Sequence, residues 1–208
     1  MPRKPAHQQI DTLKAIQDCA FDLFARYGYD GVSIGDIAAV TKLSKGALYW
    51  HYTGKEALYL DCLQHLHALF DHYILEPMLA EPDGAKSMLT LFQGLEKLLS
   101  DPRVTQGVAG FWLVPSGSGT AALAEAQRAF EQRGCKVIEA ALRRGVEQGQ
   151  FQGLDGEIEE FARAAWSLGE AVILPLRHQS PDEVRGTLGV LARTLFRAYA
   201  KAAPLPQL

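Results

Sequence analysis

The sequence predicts an all-α fold of about nine helices, and three observations lead to this prediction. Apolar side chains recur at steps of three and four residues along almost all of the 208 residues, which is the period of a helix that buries one face. No segment alternates apolar and polar residues as a half-buried strand would. Serine, glycine and proline separate the periodic segments, as they do where helices begin and end.

The first three helices have clear start and stop signals. An apolar stripe continues to Tyr27, where a glycine follows and ends the first helix. Ser33 can cap a short second helix, with Asp36 as the capping-box acid three positions later. Ser44 can cap a third helix, which ends at Thr53–Gly54. The stripe of the first helix consists of Leu13, Ile16, Ala20, Leu23, Phe24 and Tyr27.

The rest of the chain is also expected to be helical. A long fourth helix is expected from near Lys55 to about Leu75, ahead of Pro77. The further helical segments are residues 84–100, 103–114, 120–148, 155–178 and 182–202. Because the composition changes near residue 54, we expect two domains, residues 1–54 and residues 55–208.

Composition excludes several classes of protein. The chain is 48% apolar and 22% charged, which is ordinary for a globular protein. No apolar run approaches the roughly 18 residues of a membrane-spanning helix, and the N-terminus lacks a secretory signal, so we expect a cytoplasmic protein. The three cysteines are far apart, so we expect reduced, packed thiols and neither a disulfide framework nor a zinc site.

Charge is unevenly distributed along the chain. Residues 1–55 contain seven Lys or Arg and five Asp, a net charge of +2, whereas the remainder has a net charge of −5. A basic N-terminal part on an acidic body indicates, weakly, a polyanionic partner for the N-terminal part.

Residues 33–52 form the most informative segment. Two short helices are joined by a turn of three or four residues, with the small Ala38 where the helices cross and Leu48 directed to the core. This is the pattern of a helix-turn-helix motif, whose second helix enters the major groove of DNA. The stretch LSKGALYWHY also combines cations with rings, which suits neither a buried nor a solvated helix. We therefore predict a DNA-binding domain over residues 1–54.

The chemistry of this segment suits DNA. The start of a helix favours phosphate, Lys45 can reach a base edge or a phosphate, and Tyr49 can offer its hydroxyl to phosphate and its ring to a thymine methyl. We expect Trp50 and Tyr52 to pack at the base of the motif, against the first and fourth helices. The residues predicted at the DNA-binding site are Ser33, Lys42, Ser44, Lys45, Gly46, Ala47, Tyr49, Trp50, His51, Tyr52 and Lys55.

The stretch SIGDIAAVTKLSKGALYWHY, followed by TGKEAL, resembles the DNA-binding region of the TetR family of transcriptional repressors over about 26 positions. The resemblance implies a homodimer that binds palindromic operator DNA and is released when a small molecule enters the C-terminal domain. One departure lies in the turn, where the family usually has Ala-Gly and this chain has Thr41–Lys42. A positive φ at Lys42 would cost about 1 kcal/mol, so the turn is either reshaped or strained.

By the same resemblance, residues 55–208 form the ligand-binding and dimerisation domain. The last two helices would pair with their copies in a four-helix dimer interface, through Phe161, Ala165, Leu168, Val172, Leu188, Leu191 and Leu195. A hydrophobic effector would contact Met78, Met88, Phe92, Phe111, Trp112, Phe130, Trp166 and Glu170. The abundance of bulky apolar residues favours a hydrophobic effector over a charged one.

Two alternatives remain open. Asp61, His65 and His72 lie on roughly one face of the fourth helix, as the metal ligands of an enzyme would, or as a solvated face with Asp–His pairs would. Because no phosphate loop, nucleophile elbow or catalytic triad is present, we expect no enzyme activity and no cofactor. The second alternative is a DNA-binding protein that does not respond to small molecules. Arg3 and Lys4 form either a solvated tail or a further DNA contact.

Overall fold

The computed structural model describes residues 6–112, 119–154, 156–173 and 180–201. Within these ranges the chain forms nine α-helices, which confirms the all-α prediction. They are α1 Ala6–Tyr27, α2 Ile34–Thr41, α3 Lys45–His51, α4 Lys55–Phe70, α5 Glu76–Ala80, α6 Gly84–Leu99, α7 Ala121–Glu147, α8 Ile158–Ile173 and α9 Pro181–Tyr199. None of the helices so described has the length and apolar character needed to span a bilayer.

The chain divides into two compact units. The first comprises residues 1–66 and 108–127, and the second comprises residues 67–107 and 128–208. The first unit therefore contains, besides the predicted DNA-binding domain, the first three turns of α4. A functional boundary after residue 54 stays a prediction.

The core of the first unit is built from one stripe of α1. Ile16, Ala20 and Phe24 are fully buried there, as the periodicity predicted. Leu58 and Tyr59 of α4 complete this core, and the Tyr59 ring meets the Phe24 ring edge-on at 4.9 Å. Tyr27, predicted in the same stripe, is instead 60% exposed. It is the last residue of α1, where the chain turns away at the following glycine.

The helix predicted over residues 103–114 is wrong for its described part, residues 103–112, in which the four residues Ala109–Trp112 form a 3₁₀ helix and the rest is not helical. Gly107 ends the preceding turn with φ of 90°, a conformation that favours glycine. Gly110 lies so close to the Phe24 carbonyl of α1 that a side chain there would collide with it. Tyr59 then donates a hydrogen bond to the Gly110 carbonyl at 3.2 Å. Contacts within the first unit, rather than local propensity, shape this segment.

The fourth helix was predicted to end near Leu75, ahead of Pro77. The chain instead stays helical past Pro77, through a wide turn. The segment Asp71–Leu75 is π-helical, and α5 follows it directly. Pro77 has no N–H and its ring crowds the carbonyl four residues earlier, which belongs to Tyr73. The wider turn accommodates this crowding. Gly94 of α6 packs directly against the same carbonyl, with no room for a side chain.

The second unit is organised around α6, which contacts the π-helical turn, α5 and α9. The predicted stripe of α6 is confirmed, since all its members are buried, namely Met88, Leu91, Phe92, Leu95 and Leu98. The segment that follows α7 lies beside the end of α9. There Gln152 N–H donates to the Tyr199 carbonyl at 2.9 Å, and Lys201 N–H donates to the Gln150 carbonyl at 2.9 Å.

Candidate DNA-binding surface and C-terminal cavity

Both helices of the predicted helix-turn-helix begin with the serine caps that the sequence predicted. Ser33 Oγ accepts from Asp36 N–H at 3.2 Å, and the Asp36 carboxylate accepts from Ser33 N–H at 2.8 Å. Ser33 Oγ also donates to the Asp36 carboxylate at 2.7 Å, and this bond, together with the one from Ser33 N–H, holds the pKa of Asp36 below its usual range. Ser44 Oγ accepts from Ala47 N–H at 3.2 Å at the start of α3. The two caps fix where α2 and α3 begin.

The turn between α2 and α3 keeps its shape at the cost of strain. Lys42 adopts φ 56° and ψ 30° and is the one non-glycine residue with positive φ in the described part of the chain. Leu43 N–H bonds back to the Ala38 carbonyl at 3.1 Å, and Thr41 Oγ1 donates to the Ile37 carbonyl at 2.7 Å. The Thr41–Lys42 turn was expected from the sequence to be either reshaped or strained, and the positive φ of Lys42 shows that it is strained. Lys42 is exposed.

Helix α3 is held by a single buried side chain. Leu48 is 1% exposed, whereas Tyr49 and Trp50 are 56% and 64% exposed. Ser44, Lys45 and Gly46 are exposed at the start of the helix. We call Ser44, Lys45, Gly46, Tyr49 and Trp50 the α3 surface. Gly46, the glycine of this surface, faces open space, because a Cβ there would meet only Ser44 Oγ, at 3.8 Å.

The expected packing of Trp50 against the first and fourth helices is wrong. Trp50 lies two positions after Leu48, which is about 200° around an α-helix. Leu48 occupies the buried side, so Trp50 points to the opposite side. Its ring contacts the neighbouring His51 ring edge-on at 4.7 Å. His51 is half-buried, as is Ala47.

Tyr52 and Lys55, both predicted at the DNA-binding site, make contacts within the first unit. Tyr52 OH donates to Asp61 at 2.5 Å, and burial together with that bond raises the pKa of Tyr52. Lys55 Nζ donates to the Tyr29 carbonyl at 2.9 Å and lies 4.0 Å from the centre of the Tyr29 ring. Lys55, predicted at the DNA-binding site, thus has contacts within the first unit, and its contact with DNA stays a prediction. Tyr52 packs against α4 as expected.

The metal-ligand interpretation of the fourth helix is also corrected. Asp61 accepts hydrogen bonds from Tyr52 and from Gln17, the latter at 2.8 Å. His65 packs edge-on against the Phe21 ring and His72 lies beside the Tyr73 ring. Across the four described ranges, no three His, Cys, Asp or Glu side chains are grouped as metal ligands would be.

A cavity of about 300 Å³ lies in the second unit between α6, α8 and α9. Of the predicted ligand-binding residues, only Met88 and Phe92 line it. Phe130 and Trp166 instead pack on each other, with ring centres 5.2 Å apart. The remaining predicted ligand residues lie elsewhere: Met78 is buried, Glu170 is half-buried away from the cavity wall, and Phe111 and Trp112 belong to the first unit.

The seven residues predicted at the dimer interface all line this same cavity. Two of them, Val172 and Leu188, are 7% and 1% exposed, so they face the protein interior. The exposed stripe of α8 and α9 is rotated from the predicted one, and only Leu168 belongs to both. We call this stripe the hairpin face, and it consists of Ala164, Leu168, Ala171, Thr187, Val190, Thr194 and Ala198.

Sequence reasoning missed the hairpin face because most of its members are small or polar. The available sequence signal was the position of Val190 between Thr187 and Thr194; the structure shows Val190 to be 55% exposed. Arg3 and Lys4, considered as a DNA-contacting arm, lie outside the described residues.

Comparisons with known proteins agree with this geometry. Residues 16–62 match the family model described as bacterial regulatory proteins, tetR family. The regulator IcaR of Staphylococcus epidermidis, a negative transcriptional regulator of a biofilm operon, is 33% identical over 86 residues, which are 41% of this chain and 44% of IcaR. The chain thus spans less than half the length of that relative.

Two solved structures share the fold over most of the chain. A TetR transcriptional regulator from Chloroflexus aurantiacus covers 94% of this chain and 100% of its own, with a TM-score of 0.78 at 18% identity. AibR, in complex with isovaleryl coenzyme A and operator DNA, covers 86% of this chain and 97% of its own, with a TM-score of 0.65 at 18% identity. The family match includes both capped helices, the turn and the start of α4, so residues 16–62 are similar to the tetR family of bacterial regulatory proteins.

Proposed function

We propose that this protein is a ligand-responsive transcriptional repressor that acts in the cytoplasm, binds palindromic operator DNA as a homodimer, and releases it when a hydrophobic molecule binds the second unit. The α3 surface carries the proposal. It presents an ammonium, a phenol and an indole to solvent from one short helix, while a single side chain, Leu48, anchors that helix.

Each group of the α3 surface has a use on DNA. Lys45 can bind a guanine edge or a phosphate, and Tyr49 can donate to a phosphate oxygen. The exposed Trp50 indole offers apolar contact to thymine methyl groups and a donor N–H. Gly46 lets the backbone approach closely. An exposed ring pair has no comparable use in water, because burying apolar surface is favourable.

Dimerisation supplies the operator symmetry. A two-fold dimer holds two copies of α3 about 34 Å apart, one turn of DNA, and so requires a palindrome. The hairpin face supports this proposal, because it exposes Leu168 and Val190 among small residues on two adjacent helices. Two related proteins add support, since IcaR is a negative regulator and AibR was crystallised with both operator DNA and isovaleryl coenzyme A.

The response to an effector is proposed as a population shift. DNA selects dimers whose two α3 helices are correctly spaced, and the effector selects dimers in which they are not. The effector can shift this balance only by its difference in affinity for the two states. The cavity between α6, α8 and α9 gives the effector a place to bind.

Selection of bound fragments from random DNA tests this function directly. We expect an enriched palindrome, and we expect Lys45→Ala/Tyr49→Ala to weaken its binding about 100-fold, since two lost contacts cost roughly 1–3 kcal/mol each. The matched control is Lys14→Ala/Tyr27→Ala, which removes the same two side-chain types from exposed positions of α1. The control should bind within about threefold of the parent, as most exposed substitutions have little effect.

Two outcomes would contradict the proposal. One is selection without any enriched sequence, and the other is equal affinity for the α3 variant and the α1 control. Circular dichroism of both variants shows whether the fold is retained. Operator binding that depends on salt but that no small molecule alters would favour the alternative of a regulator without an effector.

A further inference from the structure

The cavity of the second unit opens on the hairpin face. Four of its lining residues, Ala164, Leu168, Thr194 and Ala198, are exposed, and they are also members of the hairpin face. The floor is formed by buried side chains of α6, such as Met88 and Leu95. The mouth of the cavity therefore lies between α8 and α9, on the surface where the partner subunit is proposed to pack.

The wall of the cavity is almost entirely apolar. Among the described residues that line it, only Thr194 and Tyr199 carry a polar side-chain group, and none is charged. A charged ligand would lose its hydration here without gaining a counter-charge, which is costly. The volume of about 300 Å³ corresponds to roughly ten water molecules at ~30 Å³ each. The occupant that fits is an uncharged apolar molecule with at most one or two hydrogen-bonding groups.

A second copy of the chain could cover this cavity but could not fill it. Among the described residues of α8 and α9, the large apolar side chains exposed to solvent are Leu168 and Val190. Leu168 already belongs to the cavity wall. Val190 is therefore the large apolar side chain of the partner's hairpin face that could enter the cavity, and its side chain is far smaller than the cavity. The other residues of the hairpin face are alanine or threonine, so this face of a symmetric partner offers no side chain large enough to fill the cavity.

We propose that the effector is an uncharged apolar molecule held between α6, α8 and α9 and enclosed by the partner's hairpin face, so that effector binding and dimerisation strengthen each other. This inference rests on the homodimer of the proposed function. Linkage is reciprocal, so whatever factor dimerisation adds to effector affinity, the effector adds to dimer affinity. The effector then releases DNA by changing the spacing within an intact dimer, not by producing monomers.

The test uses the uncharged fluorescent probe N-phenyl-1-naphthylamine and the full chain. Wild-type protein should bind the probe as a dimer, and Val190→Glu should be monomeric and bind it at least about tenfold more weakly, within the usual range of such coupling. Leu79→Glu is the matched control, because Leu79 of α5 is 60% exposed and lies outside the hairpin face. It should remain dimeric and bind as wild type. Sedimentation equilibrium gives the association state of each.

Two further measurements address the cavity itself. Gly169→Leu places a side chain toward Leu95, whose Cδ1 is 3.7 Å from the Cβ position, so it should abolish probe binding while the protein remains dimeric. The pair 1-decanol and decanoate tests the ligand class, and only the alcohol should displace the probe. Dilution of wild type through its dimer dissociation constant should weaken probe binding without any substitution.

The outcomes separate this inference from the proposed function. A monomeric Val190→Glu that binds the probe as wild type, or one that stays dimeric with full affinity, would overturn the enclosure by the hairpin face. Displacement by decanoate as strong as by 1-decanol would overturn the ligand class. Wild type that stays monomeric at every concentration would remove the homodimer itself, and this inference with it. Operator binding is measured separately and is unaffected by the first two failures.

Discussion

The α3 helix and the α8–α9 hairpin use their apolar residues in opposite ways. In α3, one leucine is buried and two large rings remain in solvent. In the hairpin, Leu188, Leu191 and Leu195 line an open space of about 300 Å³, while most of the hairpin face is alanine and threonine. The exposed rings of α3 suit a partner that fits around them. The hairpin suits a small molecule inside and a flat partner outside.

This difference shows where function can be found from local pattern and where it cannot. A seven-residue helix has room for one buried position, so every other side chain is committed to the surface. The longer α8 and α9 have several possible phases, and only their packing against α6 selects which residues face inward.

The comparison between α3 and the hairpin predicts its largest effect on stability, from substitutions at two equally buried leucines. Leu48 and Leu188 are each 1% exposed, but Leu188 lines the cavity and already lacks neighbours on one side. Leu48→Ala should cost about 3–5 kcal/mol of stability in the first unit, and Leu188→Ala about 2 kcal/mol in the second. Hydrogen exchange resolved by segment measures each unit separately. Equal losses would show that the cavity side is as tightly packed as the α3 anchor.

A second contrast concerns two carboxylates with lowered pKa values, Asp36 in the first unit and Asp101 in the second. Asp36 is an exposed cap, whereas Asp101, after α6, is 5% exposed. Its carboxylate accepts from Arg103 Nη2 at 2.6 Å and from Tyr73 OH at 3.0 Å. The Arg103 hydrogen bond is the main reason that the pKa of Asp101 lies far below its usual range. The buried carboxylate is the one expected to matter for stability.

Asp101→Asn should therefore lower the free energy of unfolding by about 2 kcal/mol at pH 7, as expected for lost hydrogen bonds to a charged group. Because the folded-state pKa is depressed, this stabilisation is present above the unfolded value of about 3.9 and is lost as the pH falls below it. The gap between wild type and variant in urea unfolding should therefore be smaller at pH 3 than at pH 7 without closing, because Asp101 stays ionised in the folded state until the pH reaches its own lowered pKa. Asp182→Asn is the control, since Asp182 is exposed and exposed pairs contribute little. A gap as large at pH 3 as at pH 7 would rule out the ionic contribution.

Much of the first unit could be predicted from sequence because its signals are local. Ser33 with Asp36, and Ser44 three positions before Ala47, fix both helix starts by contacts within one turn. Leu48 was correctly predicted as the core position of α3. Trp50 was placed wrongly because its size suggested burial, although its angle around the helix from Leu48 places it outside.

The second unit was less predictable because its deciding contacts are distant in sequence. The wide turn at Asp71–Leu75 depends on Pro77 together with Gly94 of α6. Trp166 is positioned by Gly134 of α7, which leaves no room between them. An apolar stripe identifies residues that avoid water, but it does not distinguish a cavity wall, a packed core and a subunit interface. That distinction requires the positions of neighbouring helices.

The smallest expected effect concerns Lys42, where the turn between α2 and α3 accepts strain for a cation. Both Lys42→Asn and Lys42→Gln remove the charge, but asparagine tolerates a positive φ better than glutamine does. Both variants should bind the operator more weakly and reduce the slope of log affinity against log salt by about 1 for each subunit. Only Lys42→Asn should gain stability over Lys42→Gln, by at most about 1 kcal/mol. An unchanged salt slope would mean that the ammonium does not meet phosphate, and that the strain at φ 56° serves the turn alone.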